Sequence, residues 1–271
     1  MTSDVGRTLA VCVAQPDDES YATYGTVALH RHEPQFRLVV LHATDGEAGE
    51  VAAGVTVSPH GLGAQRRRED DAAWQAVGHA PDRHDWLGYR DGQVAQVPHD
   101  RLVTQVADFL AEERPDVVVT FGPDGITGHP DHIAIGAATD EAFHRVRVSP
   151  GTGLSRLLHC AIRESLFERH QQWRTRNGRE RWDPTAVYHL RGTPDELIDV
   201  DVDTRPVAPS IVAGLKEHAT QRDVIFDPRG TDDEWSRYAK REFHVQAWPP
   251  RTEDSTVLAD VFEGLARAAP H

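Results

Sequence analysis

Three short apolar runs, separated by segments of helical period, limit this chain to few architectures. Residues 9–14 (LAVCVA), 36–43 (FRLVVLHA) and 116–121 (DVVVTF) are too short for buried helices and too continuously apolar for half-exposed strands. They read as strands of a sheet covered on both faces, the habit of parallel sheets. Helical segments are expected over 21–31, over 64–77 with a stop at Gly78, and over 132–143. Another spans 102–113, where Leu102, Val103, Val106, Phe109 and Leu110 share one face. A short strand is expected at 85–88. The alternation predicts an α/β, Rossmann-like three-layer fold with a mostly parallel sheet.

At 271 residues the chain fits one domain, a core over 1–150 and a C-terminal elaboration over 151–271. The second part has weaker signals. Strands are expected at 157–162, 186–190 and 197–202, and helices over 205–222 and 231–243. Residues 44–63 hold five glycines and a proline and read as a long loop, a length that often accompanies function.

A formal charge of −14 argues against a polyanionic partner, so neither nucleic acid nor an anionic membrane surface is expected. The arginines are scattered and only Lys216 and Lys240 are lysines, a skew that points to a GC-rich, bacterial coding sequence. No apolar run is long enough to span a bilayer. The N-terminus leads straight into a strand without a signal-peptide pattern, and Cys12 and Cys160 form no framework. A cytoplasmic protein is expected, with oligomeric state left open.

Two motifs carry the chemistry. AQPDDE at 14–19 follows the first strand, and GHPDH at 128–132 follows the strand at 116–121. Sites in open α/β sheets lie beyond the carboxyl ends of strands, so the two motifs meet if their strands are neighbours. Asp18 and His132 could then share a divalent metal, one ligand from each motif. Asp17 and Asp18 are adjacent and their side chains diverge, which leaves one carboxylate free for a substrate water. His129 would be free for proton transfer or for stabilising charge, with Asp131 orienting a histidine. Either motif alone could be a helix cap or a solvated turn. Both at strand ends, each in a Gly/Pro-rich loop, point to a site.

At these residues the chain resembles the PIG-L/LmbE family of zinc-dependent N-acetylglucosaminyl deacetylases, which carries AHPDDE and HPDH motifs. TDGEAG at 44–49, Arg66 and Glu69 in the helix after it, LGYRDG at 87–92 and HATQ at 218–221 extend the likeness over most of the chain, with 151–203 poorly matched. The resemblance implies that Asp18 and His132 are ligands of Zn2+ or another divalent metal and that Asp17 is the general base. It implies that His129 is a general acid or oxyanion stabiliser, buttressed by Asp131. Arg66, Asp91 and His218 would contact substrate. The implied activity is amide hydrolysis on a linear C–N bond, with an amino sugar or glycosylated metabolite as small-molecule partner.

Gln15 departs from the pattern, standing where the family has a liganding histidine. An amide oxygen is a poorer zinc ligand than imidazole. Gln15 could bind weakly, His42 could substitute, or the metal could be absent and the chain a silent relative that binds a glycoside-like ligand. An amidase acting on a larger acyl group shares the chemistry. Trp173, Trp182, Trp235 and Trp248 are candidates for an acyl or aglycone pocket, or for core packing.

Overall fold

The structure is a computed structural model that describes residues 6–21, 23–225, 236, 239–252 and 255–265. Its centre is a seven-stranded sheet of order β3-β2-β1-β4-β5-β7-β6. The strands are β1 (Arg7–Val13), β2 (Phe36–Thr44), β3 (Arg83–Tyr89), β4 (Val117–Phe121), β5 (Arg156–Ala161), β6 (Val200–Asp203) and β7 (Arg241–Trp248). The first five run parallel, and β7 lies antiparallel between β5 and β6. The expected α/β architecture with a mostly parallel sheet is what forms.

Residues of β1 from Leu9 to Val13 are at most 1% exposed, which explains their unbroken apolar run. Helices α1 (Tyr24–His30), α2 (Leu62–Val77) and α7 (Ala208–Glu217) pack together, and α3 (His99–Glu113) packs with α5 (Pro130–Arg147). Between β4 and α5 lies a single tight turn, α4 (Gly125–Gly128). Helix α5 approaches the sheet closely at Gly136, where a Cβ would lie 2.4 Å from the carbonyl oxygen of Phe121. Helix α1 starts against a buried carboxylate: Glu242 on β7 accepts the backbone N–H groups of Gly25 (2.9 Å) and Thr26 (3.2 Å). That carboxylate satisfies donors a helix start leaves open.

The chain builds outward from β1 through β2 to β3, then returns to place β4 on the other side of β1. Leu9, Ala10 and Val11 pair with Val117, Val118 and Val119. The carboxyl ends of β1 and β4 are therefore adjacent at the point where strand order reverses, the crevice in which such sheets bind ligands.

Several expectations fail in the C-terminal part. Residues 186–190 form turns and bends, not a strand; the Tyr188 N–H donates to Thr127 on the α4 turn and, just beyond, the Arg191 N–H donates to Ile126. The helix over 205–222 is interrupted, with a 3-10 turn at Arg205–Val207, α7, and a break at His218. Of the helix expected over 231–243, residues 241–243 instead open β7, and 231–235 and 237–238 lie outside the described residues. Helix α6 (Glu164–Arg176) was not expected. Among the described residues no helix is long and apolar enough to cross a membrane.

Candidate metal and hydrolase site

The turn after β1 folds Asp18 back onto the strand end. Its Oδ2 accepts N–H from Gln15 at 2.7 Å and Ala14 at 3.1 Å, which leaves Oδ1 facing His132 Nε2 at 3.2 Å. His132 sits in the first turn of α5, stacked on Phe121 with ring centroids 4.1 Å apart. Its Nδ1 is 3.0 Å from the carbonyl oxygen of Gly125, an acceptor only, so that nitrogen carries the proton. The Nε2 atom is thereby aimed at Asp18. Burial alone would lower the His132 pKa, but the Asp18 carboxylate beside it raises it. Burial would raise the Asp18 pKa, and His132 with the Gln15 N–H holds it below the usual value.

Gln15 completes this group. Its Nε2 donates to Asp91 Oδ1 at 2.8 Å and lies 3.3 Å from Asp131 Oδ2. Two acceptors on that side fix the amide orientation and turn Oε1 toward His132 Nε2, 3.1 Å away. His132 Nε2 thus faces one carboxylate oxygen and one amide oxygen, both at hydrogen-bond distance. That donor set fits a divalent cation.

Asp17 adopts a φ of +96°, a conformation non-glycine residues seldom take. The strain is held in place because its N–H donates to Glu19 (3.0 Å) and its carbonyl accepts the Ser20 N–H at the same distance. Arg66 Nη2 lies 3.4 Å from its carboxylate. Burial pushes the Asp17 pKa up to about 7, with Arg66 opposing and Asp18 assisting the rise. Arg66 itself, 4% exposed, donates to the carbonyls of Gly46 (2.8 Å) and Pro16 (2.5 Å) and so ties the loop after β2 to the first motif. Gly46, at φ +66°, has no room for a side chain, since a Cβ would fall 2.2 Å from Arg66 Nη1.

His129 caps α5: its Nδ1 accepts the Asp131 N–H at 3.1 Å, which places the proton on Nε2. Burial, with His132 beside it, lowers the pKa of His129, so the ring is a neutral donor. The Asp131 carboxylate goes elsewhere. It accepts from Gly92 (2.8 Å) and Val94 (2.9 Å) as well as meeting Gln15, so it braces Gln15 and the loop after β3. Asp91 bridges Gln15 and the Ala48 N–H.

His218 is 1% exposed, with Nε2 held 2.8 Å from the Tyr24 hydroxyl, and so belongs to the packing beneath Asp17. His42 does not reach the Asp18–His132 pair: its Nε2 meets Glu19 at 3.2 Å and its Nδ1 meets His84 at 3.0 Å. The tryptophans mostly pack, Trp182 against Phe167 and His170 and Trp248 against His144; Trp235 lies outside the described residues.

Tyr188 escapes sequence reading. It stands 70% exposed with its ring edge-on to His129, centroids 5.1 Å apart. Nothing local marks it, because only the fold brings its loop to the α4 turn. Glu19 was legible as the last letter of AQPDDE, yet its role as the acceptor for Asp17, Tyr24 and His42 needed coordinates.

Comparison with known proteins agrees with this geometry. The family model described as PIG-L, GlcNAc-PI de-N-acetylase, matches residues 10–143, which contain both motifs. A 1D-myo-inositol 2-acetamido-2-deoxy-alpha-D-glucopyranoside deacetylase from Saccharomonospora viridis is 32% identical, over 93% of this chain and 98% of that protein. Among solved structures, N,N'-diacetylchitobiose deacetylase from Pyrococcus horikoshii aligns over 90% of this chain and 84% of its own, with a TM-score of 0.56 and 18% identity. A 4-carboxy-2-hydroxymuconate hydratase from Pseudomonas putida reaches 0.61 at 15% identity, over 92% of this chain and 100% of its own, so the fold alone does not select the reaction. With both motifs inside the matched region and a relative aligned almost end to end, the chain belongs to the PIG-L, or GlcNAc-PI de-N-acetylase, family.

Proposed function

We propose that this chain is a metal-dependent N-deacetylase that removes the acetyl group from an amino sugar or a glycosylated small molecule. The observation that carries the reading is the meeting of His132 Nε2 with Asp18 Oδ1 at 3.2 Å and with Gln15 Oε1 at 3.1 Å, beside a second carboxylate on Asp17. Relatives named as deacetylases of an acetamido-glucopyranoside support the substrate class.

His132, Asp18 and Gln15 would hold the metal. A bound divalent cation supplies Lewis acidity to a water and to the acyl oxygen. Zn2+ fits, and two oxygens beside one nitrogen also suit harder ions such as Mn2+ or Fe2+.

Asp17 accepts the proton of the attacking water, as its raised affinity for protons near neutrality suits it to do. Arg66 orients that carboxylate and limits the rise in its pKa. His129 offers its Nε2–H to the oxygen that gains charge as the carbonyl carbon becomes tetrahedral. When the C–N bond breaks, Asp17 returns its proton to the departing nitrogen, giving acetate and a free amine. Asp91 and Asp131 act through Gln15, and Tyr188 offers an exposed aromatic ring beside His129 on which a sugar ring can pack.

The test is acetate release from N-acetylglucosaminyl glycosides, including the inositol conjugate named for the relatives, by protein loaded separately with Zn2+, Mn2+, Co2+ and Fe2+. Release that disappears in Asp18→Ala supports the reading. No release with any ion from a protein that binds metal would overturn it.

A further inference from the structure

A second histidine–carboxylate cluster lies under the first motif, on the α2 face of the sheet. His42 stands near the end of β2, His84 on the edge strand β3, and Asp70 on α2. In the ladder, Val40 pairs with His84 and His42 with Trp86, so His42, His84 and Trp86 share one face, and both histidines stack on Trp86. The ligand-type atoms of His42, Asp70 and His84 all lie within 4.8 Å of one another.

Asp70 is the anomaly. It is 0% exposed and neither carboxylate oxygen has a hydrogen-bond partner. A buried carboxylate without donors is costly, and native interiors seldom tolerate one. Glu19, also 0% exposed, has a carboxylate oxygen within 4.8 Å of one of those of Asp70. Glu19 is itself saturated, facing Tyr24, the Asp17 N–H, His42 and His218.

Tautomers sharpen the point. His42 Nε2 faces a Glu19 oxygen at 3.2 Å, which puts the His42 proton on that nitrogen and a lone pair on Nδ1. His84 Nε2 makes a hydrogen bond to that lone pair at 3.0 Å, so in the metal-free protein the His84 proton lies on Nε2 and points at His42, leaving Asp70 without a donor. A cation taking the place of that single proton would meet three ligand atoms at once, with His42 Nδ1 to His84 Nε2 at 3.0 Å and His84 Nε2 to Asp70 Oδ2 at 3.2 Å. Ligand atoms around one tetrahedral zinc stand about 3.3 Å apart, given metal–nitrogen bonds of about 2.0–2.1 Å.

We propose that His42 Nδ1, His84 Nε2 and Asp70 form a second divalent-cation site, separate from the Asp18–His132–Gln15 group, with Glu19 orienting His42 from behind. A cation there balances the two buried carboxylates and fixes Glu19, the acceptor for the strained Asp17 backbone. Its role is structural. The half-buried His84 at the sheet edge gives the ion a way in. The rival occupant is a proton shared by Asp70 and Glu19. The proposal does not depend on the chain being a deacetylase.

The test uses full-length protein with the first site disabled by Asp18→Ala and His132→Ala, equilibrated with Zn2+, dialysed and assayed for bound metal. About one equivalent per chain is expected, falling to near zero when Asp70→Asn is added. No zinc in the folded double variant, or zinc retained after Asp70→Asn, overturns the proposal in favour of the proton. Should Asp70→Asn not fold, anomalous diffraction from zinc-soaked crystals of the unaltered protein decides. A peak bonded to His84 Nε2 and Asp70 supports the site, and its absence overturns it.

Discussion

The side-chain oxygen of Gln15 stands 3.1 Å from Nε2 of His132, a residue 117 positions further along the chain. A histidine at this position would offer a nitrogen and a stronger hold on zinc. The amide instead offers an oxygen steered by two carboxylates, Asp91 and Asp131. The Gln15 amide is thus built into a hydrogen-bonded frame.

Changing that residue separates its two jobs. Gln15→His should tighten zinc binding by about tenfold or more, since imidazole is the better zinc donor. Gln15→Glu should instead lower thermal stability by about 1–3 kcal/mol in metal-free protein, because it sets a third carboxylate against Asp91 and Asp131. Metal titration and calorimetric melting read the two effects. Unchanged zinc affinity in Gln15→His would remove residue 15 from the ligand set.

Asp17→Asn should cut kcat by about 10²–10⁴-fold while bound metal stays at its original stoichiometry. Metal analysis beside steady-state kinetics separates a base from a ligand. Loss of metal in parallel with activity would reassign Asp17.

His129→Ala should lower kcat by about 10²–10³-fold with little change in KM, the pattern of a donor used mainly in the transition state. A rise in KM at constant kcat would make His129 a binding residue instead.

Gly46→Ala tests the tie between the loop after β2 and the Asp17 carboxylate. A methyl group at φ +66°, 2.2 Å from Arg66 Nη1, must displace the guanidinium. The variant should lose about 1–3 kcal/mol of stability and much of its activity. Thermal melts and acetate release check both.

A pH-dependent contribution to stability lies far from the site. His30 Nε2 meets Asp260 and Nδ1 meets Glu33, each at 2.8 Å. Burial would lower the His30 pKa, yet the two carboxylates outweigh it and raise it. Burial would raise the Asp260 pKa, and His30 draws it down. A raised histidine pKa stabilises fully below the unfolded value of about 6.5 and fades as pH climbs through the folded value. A lowered aspartate pKa stabilises above about 3.9 and fades as pH falls through its folded value. His30→Leu should therefore cost most between about pH 4 and 6.5, by about 1–2 kcal/mol, with the gap to the unaltered protein narrowing at alkaline pH. Melting curves across that range test the sign.

The legible parts of this chain are those whose physics is local. Residues 9–14 and 116–121 announce buried parallel strands by apolar continuity, and the periodicity of 102–113 announces α3. Helix α6 stayed hidden because it is polar nearly all round, with only Phe167 and Gln171 buried. Strand β7 was missed because its place depends on two partners, β5 and β6, that no local pattern names. The pairing of Asp18 with His132 followed from strand-end logic, whereas the turning of Asp131 away from the His129 ring did not. Residues 91–95 compete for that carboxylate, and only the assembled fold brings them there.

The ladder between β1 and β4 has an evolutionary consequence. Valine-rich backbone pairing, not the loops, sets the spacing between the two strand tips. The surrounding walls, contributed by the glycine-rich stretch after β2 and by the tyrosine-bearing turn, are free to change length and chemistry without disturbing it. Divergence in this lineage should therefore accumulate as altered substrate choice around a reaction centre that hardly moves.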